Sequence, residues 1–180
     1  DELSAAMALH FGEMAGGKVS LVFGAGYSSN NPFADAQDIF GIGHLIYDRK
    51  LNDSDSLVLS LDYNGVNAFL PDIPLPGFEY IHHTETFTIA AGFPHDEIKW
   101  EMCPHLTLDA GYSVPYTAGV ELSYQLSHSF SIFGGYHNFF NAYRLADEPR
   151  TNRFFYQMSR AEIGVRYINP DFVLKGAYFD

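Results

Sequence analysis

Residues 106–136 read LTLDAGYSVPYTAGVELSYQLSHSFSIFGGY, and this stretch decides the fold. It divides into three runs joined by two tight connections. In the first, Leu106, Leu108, Ala110 and Tyr112 alternate with Thr107, Asp109, Gly111 and Ser113. The second sets Ala118, Val120, Leu122 and Tyr124 against Gly119, Glu121, Ser123 and Gln125. The third sets Phe130, Ile132, Gly134 and Tyr136 against Ser131, Phe133, Gly135 and His137. Successive side chains of a strand point to opposite faces, so each run carries an apolar side and a polar side. Asp109 and Glu121 stand mid-strand on the polar side. That side must be wet or internally paired, because an unpaired buried charge is too costly.

The same pattern extends through the chain. Residues 18–29 place Leu21, Phe23, Ala25 and Tyr27 on one face, and residues 56–67 place Leu57, Leu59, Leu61 and Tyr63 opposite Val58, Ser60, Asp62 and Asn64. Residues 38–49 are less clean, since Phe40, Ile42 and Ile46 share a face with His44 and Asp48. Further strands are expected in GFEYIHH, TFTIAAGF, EIKWEM, residues 153–168 and DFVLKGAYF. Residues 3–14 alternate but are rich in Ala and Met, which also favour helix, so residues 1–17 are read as a first strand or an N-terminal extension. The prolines of AFLPDIPLPG (68–77) exclude a sheet interior there. About twelve up-and-down strands result, in a single domain over 1–180. Their connections alternate between short turns (AGG, LNDSD, HTE, CPH, SHS, NP) and mostly longer loops (SNNPFADA, AFLPDIPLPG, PHDE, VPYT, ADEPRTN). Short turns on one rim and long loops on the other are the habit of outer-membrane barrels. An even strand count puts both ends on the long-loop rim, whereas such barrels keep them at the short-turn rim. The count at 1–17 or a continuing chain is expected to account for this.

Composition narrows the function classes. The 180 residues hold 16 Phe, 12 Tyr, 16 Gly and a single Trp, and mean hydropathy is −0.09, a profile suited to an all-β chain. A net charge of −12 without a Lys/Arg cluster argues against nucleic acid. The lone Cys103 excludes an internal disulfide framework and a CxxC site. No apolar run approaches a membrane helix, but a barrel's signal is weak in every strand.

Alternation alone does not say which face points inward. A soluble barrel would turn its apolar face in and its charges out. The polar faces here are thinly charged and studded with Gly, Ser and Thr. Tyrosines recur at the ends of apolar faces (Tyr27, Tyr47, Tyr63, Tyr112, Tyr136, Tyr167, Tyr178), where an aromatic girdle would sit. Twelve strands are also too wide for a small-protein core. The sequence therefore predicts a transmembrane up-and-down antiparallel β-barrel in a bacterial outer membrane.

A resemblance points the same way. PLPGFEY and IHHTETFTIAAGFP (74–94), EIKWEMCPHLTLDAGY (97–112) and VELSYQLSHSFSIFGGY (120–136) are similar to a family of uncharacterised bacterial outer-membrane barrel proteins. The similarity spans about residues 36–180. It implies a fold and a location and carries over no catalytic residue.

Candidate chemistry is sparse. Asp62, Lys99, Glu101, Asp109, Glu121, Arg160, Glu162, Arg166 and Lys175 are expected to line the lumen. Their mixed signs favour cross-strand pairing over the single-sign rings of a selective pore. His83, His105 and His128 fall in short turns on one rim, beside His82, and imidazole is a common metal ligand. Turns two strands apart stand roughly 10 Å from one another, which favours solvated histidines and no metal. A lipid hydrolase or acyltransferase would need Ser, His and an acid at the outer rim; Ser113, His137 and Glu148 are the candidates, with no nucleophile-elbow spacing behind them. The loop 65–77 is stiff enough to plug a lumen or stand out as a stalk. The expected role is a passive small-solute channel or a structural, anchoring barrel with no cofactor. Its expected partners are the lipid bilayer, small polar solutes and other envelope proteins. A lipid-modifying enzyme and a soluble ligand-binding barrel are the alternatives.

Overall fold

The computed structural model describes residues 2–28, 39–65, 70, 72–144, 152–169 and 172–179. It is all-β and antiparallel, with no helix among the described residues. The strands are β1 (Glu2–Met14), β2 (Gly17–Ser28), β3 (Ile39–Lys50), β4 (Asp55–Asn64), β5 (Leu75–His83) and β6 (Phe87–Phe93). They continue as β7 (His95–Cys103), β8 (Leu106–Ser113), β9 (Thr117–Gln125), β10 (Phe130–Arg144), β11 (Arg153–Asn169) and β12 (Phe172–Phe179). All twelve form one sheet in chain order. β1 and β12 are the two ends of that order, and the described residues show no ladder between them. Residues 2–14 are a strand, as the alternation predicts.

Local chemistry explains the turns. Ala15 and Gly16 both take positive φ (51° and 78°), the conformation of the two-residue hairpin that joins β1 to β2. The Asn52 side chain accepts from the backbone N–H of Ser54 and Asp55 and folds the β3–β4 turn. Thr84 Oγ1 accepts from Phe87 N between β5 and β6, and Ser127 Oγ accepts from Phe130 N between β9 and β10.

Three sequence readings need correcting. β5 begins at Leu75 and so contains Pro76; a proline at the second residue of a strand removes only one ladder donor. The connections read as PHDE and VPYT shrink to Pro94 and residues 114–116, because the strands on either side run to His95, Ser113 and Thr117. The sequence after His137 reads as an aromatic run, NFFNAY, leading to the charged loop; instead β10 continues through it to Arg144, although the run is aromatic on both faces. The loop SNNPFADA, ADEPRTN except its last residue Asn152, and part of 65–77 lie outside the described residues.

The chain divides into two compact units. The first holds Asp1–Tyr80 and Phe140–Gln157. Its register aligns Leu9, Leu21, Leu45 and Leu61 in one row across β1–β4. That row is apolar, and Leu9, Leu45 and Leu61 are exposed. The other face carries the row Val22, His44, Asp62 and, one step along, His10, Ser20 and Ser60. Phe40 lies on this second face and is 2% exposed. It is the most buried large side chain of the unit, over Gly26, its ladder partner.

The second unit holds Ile81–Phe139 and Met158–Asp180. Its apolar row runs Ile89, Ile98, Ala110, Val120 and Tyr136. Ile98, Val120 and Tyr136 are exposed, as are Trp100, Leu122, Ile132 and Ile163. The opposite face is the covered one: Ser131, Phe133 and Glu162 are buried. β7 is exposed along its whole length. Of the girdle tyrosines, Tyr112, Tyr136 and Tyr178 are exposed, while Tyr27 is buried.

Candidate functional site

The polar face of the second unit gathers most of the charge the sequence singles out. Arg166 on β11 donates to Glu121 Oε1 on β9 at 2.7 Å, reaching over β10. Gly135 is the ladder partner of Glu121, and a Cβ there would lie 2.9 Å from Val120 O and 3.1 Å from His137 Nε2. The guanidinium of Arg166 also sits over the Phe133 ring, 4.9 Å from its centroid. A second group lies beside it. Glu162 Oε1 is 3.2 Å from His137 Nε2, and Glu162 Oε2 is 3.4 Å from Arg160 Nη2. Arg160 lies over Phe139, 5.4 Å from the ring centroid, and His137 stacks on the same ring. His137 stands over its own ladder partner Gly119, where a Cβ would be 2.6 Å from Nδ1.

One ligand atom each from Glu121, His137 and Glu162 lies within 4.8 Å of the others, so a divalent transition ion has the right donor types here. Charge balance speaks against it. Each carboxylate already faces a guanidinium, and His137 shares its Nε2 with Glu162. The arrangement is a neutral ion-pair network built into a covered sheet face, where paired and hydrogen-bonded charges are tolerated and lone ones are not.

A cavity of about 590 Å³ adjoins the network in the same unit, bounded among others by His95, Asp109, Gly111, Ser113, Glu121 and Arg166. Gly111 and Gly119 are ladder partners on its floor, with the His137 ring standing over Gly119. At one end Ser113 Oγ and His95 Nδ1 are 2.6 Å apart. Asp109 and Glu121 face each other directly across β8 and β9, a like-charge pair that Arg166 offsets through Glu121.

The remaining predicted residues are distributed as follows. Asp62 is ion-paired with His44, its ladder partner, and accepts from Ser60 Oγ at 3.0 Å. Lys99 and Glu101 are on exposed β7, with Lys99 across the ladder from Asp109. The backbone of Lys175 pairs with Arg166, and its side chain lies outside the described residues. Ser113 and His137 are not partnered with each other: Ser113 pairs with His95, and His137 with Glu162. Glu148 lies outside the described residues. His83 bonds Thr88 Oγ1 at 2.7 Å, His105 packs its ring edge-on to Tyr124, and His128 is exposed. Among the described residues these three histidines form no common ligand set.

Sequence reasoning missed His95, His44, Phe133 and Phe40. His95 was read into a loop, and only the true start of β7 places it opposite Ser113. Compared with known proteins, the chain matches no family model, no curated protein and no solved structure.

Proposed function

We propose that the chain is a transmembrane β-barrel of the bacterial outer-membrane type. Its lumen is polar and partly filled, and it serves as a narrow passive path for small polar solutes. One observation carries the reading: the oily and ionised faces are inverted relative to a water-soluble protein. Val120, Ile132 and Ile163 are 41%, 43% and 68% exposed, whereas the side chains of Glu121, Arg166 and Glu162 are 12%, 24% and 1% exposed. Water would oppose that distribution at about 25 cal/mol for each Å² of apolar surface left exposed. Hydrocarbon removes the penalty, and a face of this extent is far more than a soluble monomer normally leaves uncovered.

The single tryptophan provides the test. Trp100 is 42% exposed on the apolar face of β7. Phospholipids brominated along their acyl chains are expected to quench its fluorescence strongly in the reconstituted protein, and aqueous acrylamide weakly. A chain that stays monodisperse without detergent and shows the opposite quenching order is a soluble protein, and the reading is lost. For transport, planar bilayers containing the folded protein are expected to show small conductance steps that Arg166→Ala enlarges. Quenching without any steps assigns the barrel a structural, anchoring role instead.

A further inference from the structure

We propose that Ser113 and His95 form a nucleophile–base pair that cleaves carboxylic esters at the mouth of the cavity in the second unit. The inference rests on the local geometry of β7 and β8 and does not depend on the barrel conducting.

The pair is fixed by backbone. His95 opens β7, Ser113 ends β8, and the two are direct ladder partners. Immediately beyond them Val114 N donates to Pro94 O at 3.0 Å, and Gly92 N donates to Asp96 Oδ1 at 2.9 Å. The hydroxyl and the imidazole are therefore held by two strands and a tied connection, which is what a reacting pair needs of its scaffold. The 2.6 Å separation of Oγ and Nδ1 is within the range for a serine delivering its proton to a histidine base. His95 is exposed and Ser113 half-buried, so an entering carbonyl can reach the hydroxyl from solvent.

The space beside the pair sets the substrate class. The cavity floor runs from Ser113 over the Gly111–Gly119 pair toward His137 and Phe139. A volume of about 590 Å³, with Phe139 as the large apolar group on that face, takes an ester with a short acyl chain. The acidic residues Glu97 and Asp109, on the same sheet face as Ser113, disfavour an anionic head, so a neutral or cationic ester fits best. In the first step Ser113 Oγ attacks the ester carbonyl and His95 Nδ1 takes the hydroxyl proton. The C–O bond to the alcohol then breaks, and His95 returns the proton to the departing alkoxide, leaving acyl-Ser113. Water, deprotonated by His95, attacks that ester in turn; the carboxylic acid leaves and the Ser113 hydroxyl is regenerated.

The test uses the full chain folded in detergent, a fluorophosphonate probe and a p-nitrophenyl ester of a four- to eight-carbon acid, read with about tenfold resolution above background hydrolysis. The probe is expected to label one residue, mapped to Ser113 by mass spectrometry. Ser113→Ala abolishes labelling while keeping the folded band on unheated gels, and His95→Gln slows labelling and turnover about 100-fold. No labelling of the folded wild-type protein, labelling at another residue, or labelling that persists in Ser113→Ala overturns the assignment. Trp100 quenching of the same protein after reconstitution reports insertion separately, so failure here is distinguishable from failure of the membrane reading.

Discussion

Replacing Glu162 with leucine is expected to lower folding stability by about 3 kcal/mol. The carboxylate is enclosed, with its side chain 1% exposed, and it faces Arg160 on one oxygen and His137 on the other. Leucine fills the space but removes the counter-charge that Glu162 supplies to the guanidinium of Arg160, which lies over the Phe139 ring. Breaking a buried pair by removing one partner costs roughly 3–5 kcal/mol because the remaining charge is uncompensated. The low end applies, since Arg160 and His137 keep 33% and 24% of their side-chain surface. Urea titration of folding into vesicles, followed by Trp100 fluorescence, measures the loss. Removing both charges is a separate matter: Glu162→Leu with Arg160→Leu is expected to recover more than about 1 kcal/mol relative to additivity, as for residues in direct contact. A single-variant loss below about 0.5 kcal/mol, the range of ordinary surface changes, would show that the network does not hold the covered face together.

The strand plan was legible because it depends only on period. Leu108, Val120 and Ile132 announce their face two residues at a time, and the connections between such runs must be turns. Where both faces carry the same residue class the signal disappears, which is why NFFNAY was not read as the continuation of β10 to Arg144. The site was legible only as a list. Glu121, Arg160, Glu162 and Arg166 were recognised as one polar face, but their pairing depends on register and on reach. Arg166 and Glu121 meet across an intervening strand, β10, so nothing in the sequence near either one announces the other. His44 and Asp62 meet because β3 and β4 align them as ladder partners. Neither fact is a property of local sequence, since a shift of one residue would exchange the faces. The rim histidines illustrate the converse. They share a position type in sequence, yet Thr88 and Tyr124 are the neighbours of His83 and His105.

One device recurs on the covered faces and yields the second large expectation: a bulky inward side chain stands over a glycine on the next strand. His137 does this over Gly119 in the second unit, and Phe40 does it over Gly26 in the first. A Cβ at Gly26 would clash with the Phe40 ring, coming within 2.7 Å of Cε1, and one at Gly65 would meet Phe40 Cβ at 3.0 Å. Phe40→Ala is therefore expected to cost about 3 kcal/mol, the lower part of the range for emptying a buried phenylalanine site. Gly26→Val is expected to cost about 2 kcal/mol by overpacking, because the ring, only 2% exposed, must be displaced to admit an isopropyl group. The pair of substitutions decides whether the contact is the cause. Valine at 26 occupies part of the space that alanine at 40 vacates, so the double variant should be more stable than the sum of the single losses by at least about 1 kcal/mol. Strict additivity would mean that the two positions act independently and that Phe40 is held by something other than the bare strand beneath it. In bilayers the same variants separate packing from passage. If Phe40 fills part of a lumen, Phe40→Ala enlarges the conductance steps and Gly26→Val in the same chain reduces them again, whereas a purely structural aromatic leaves the step size unchanged while stability moves.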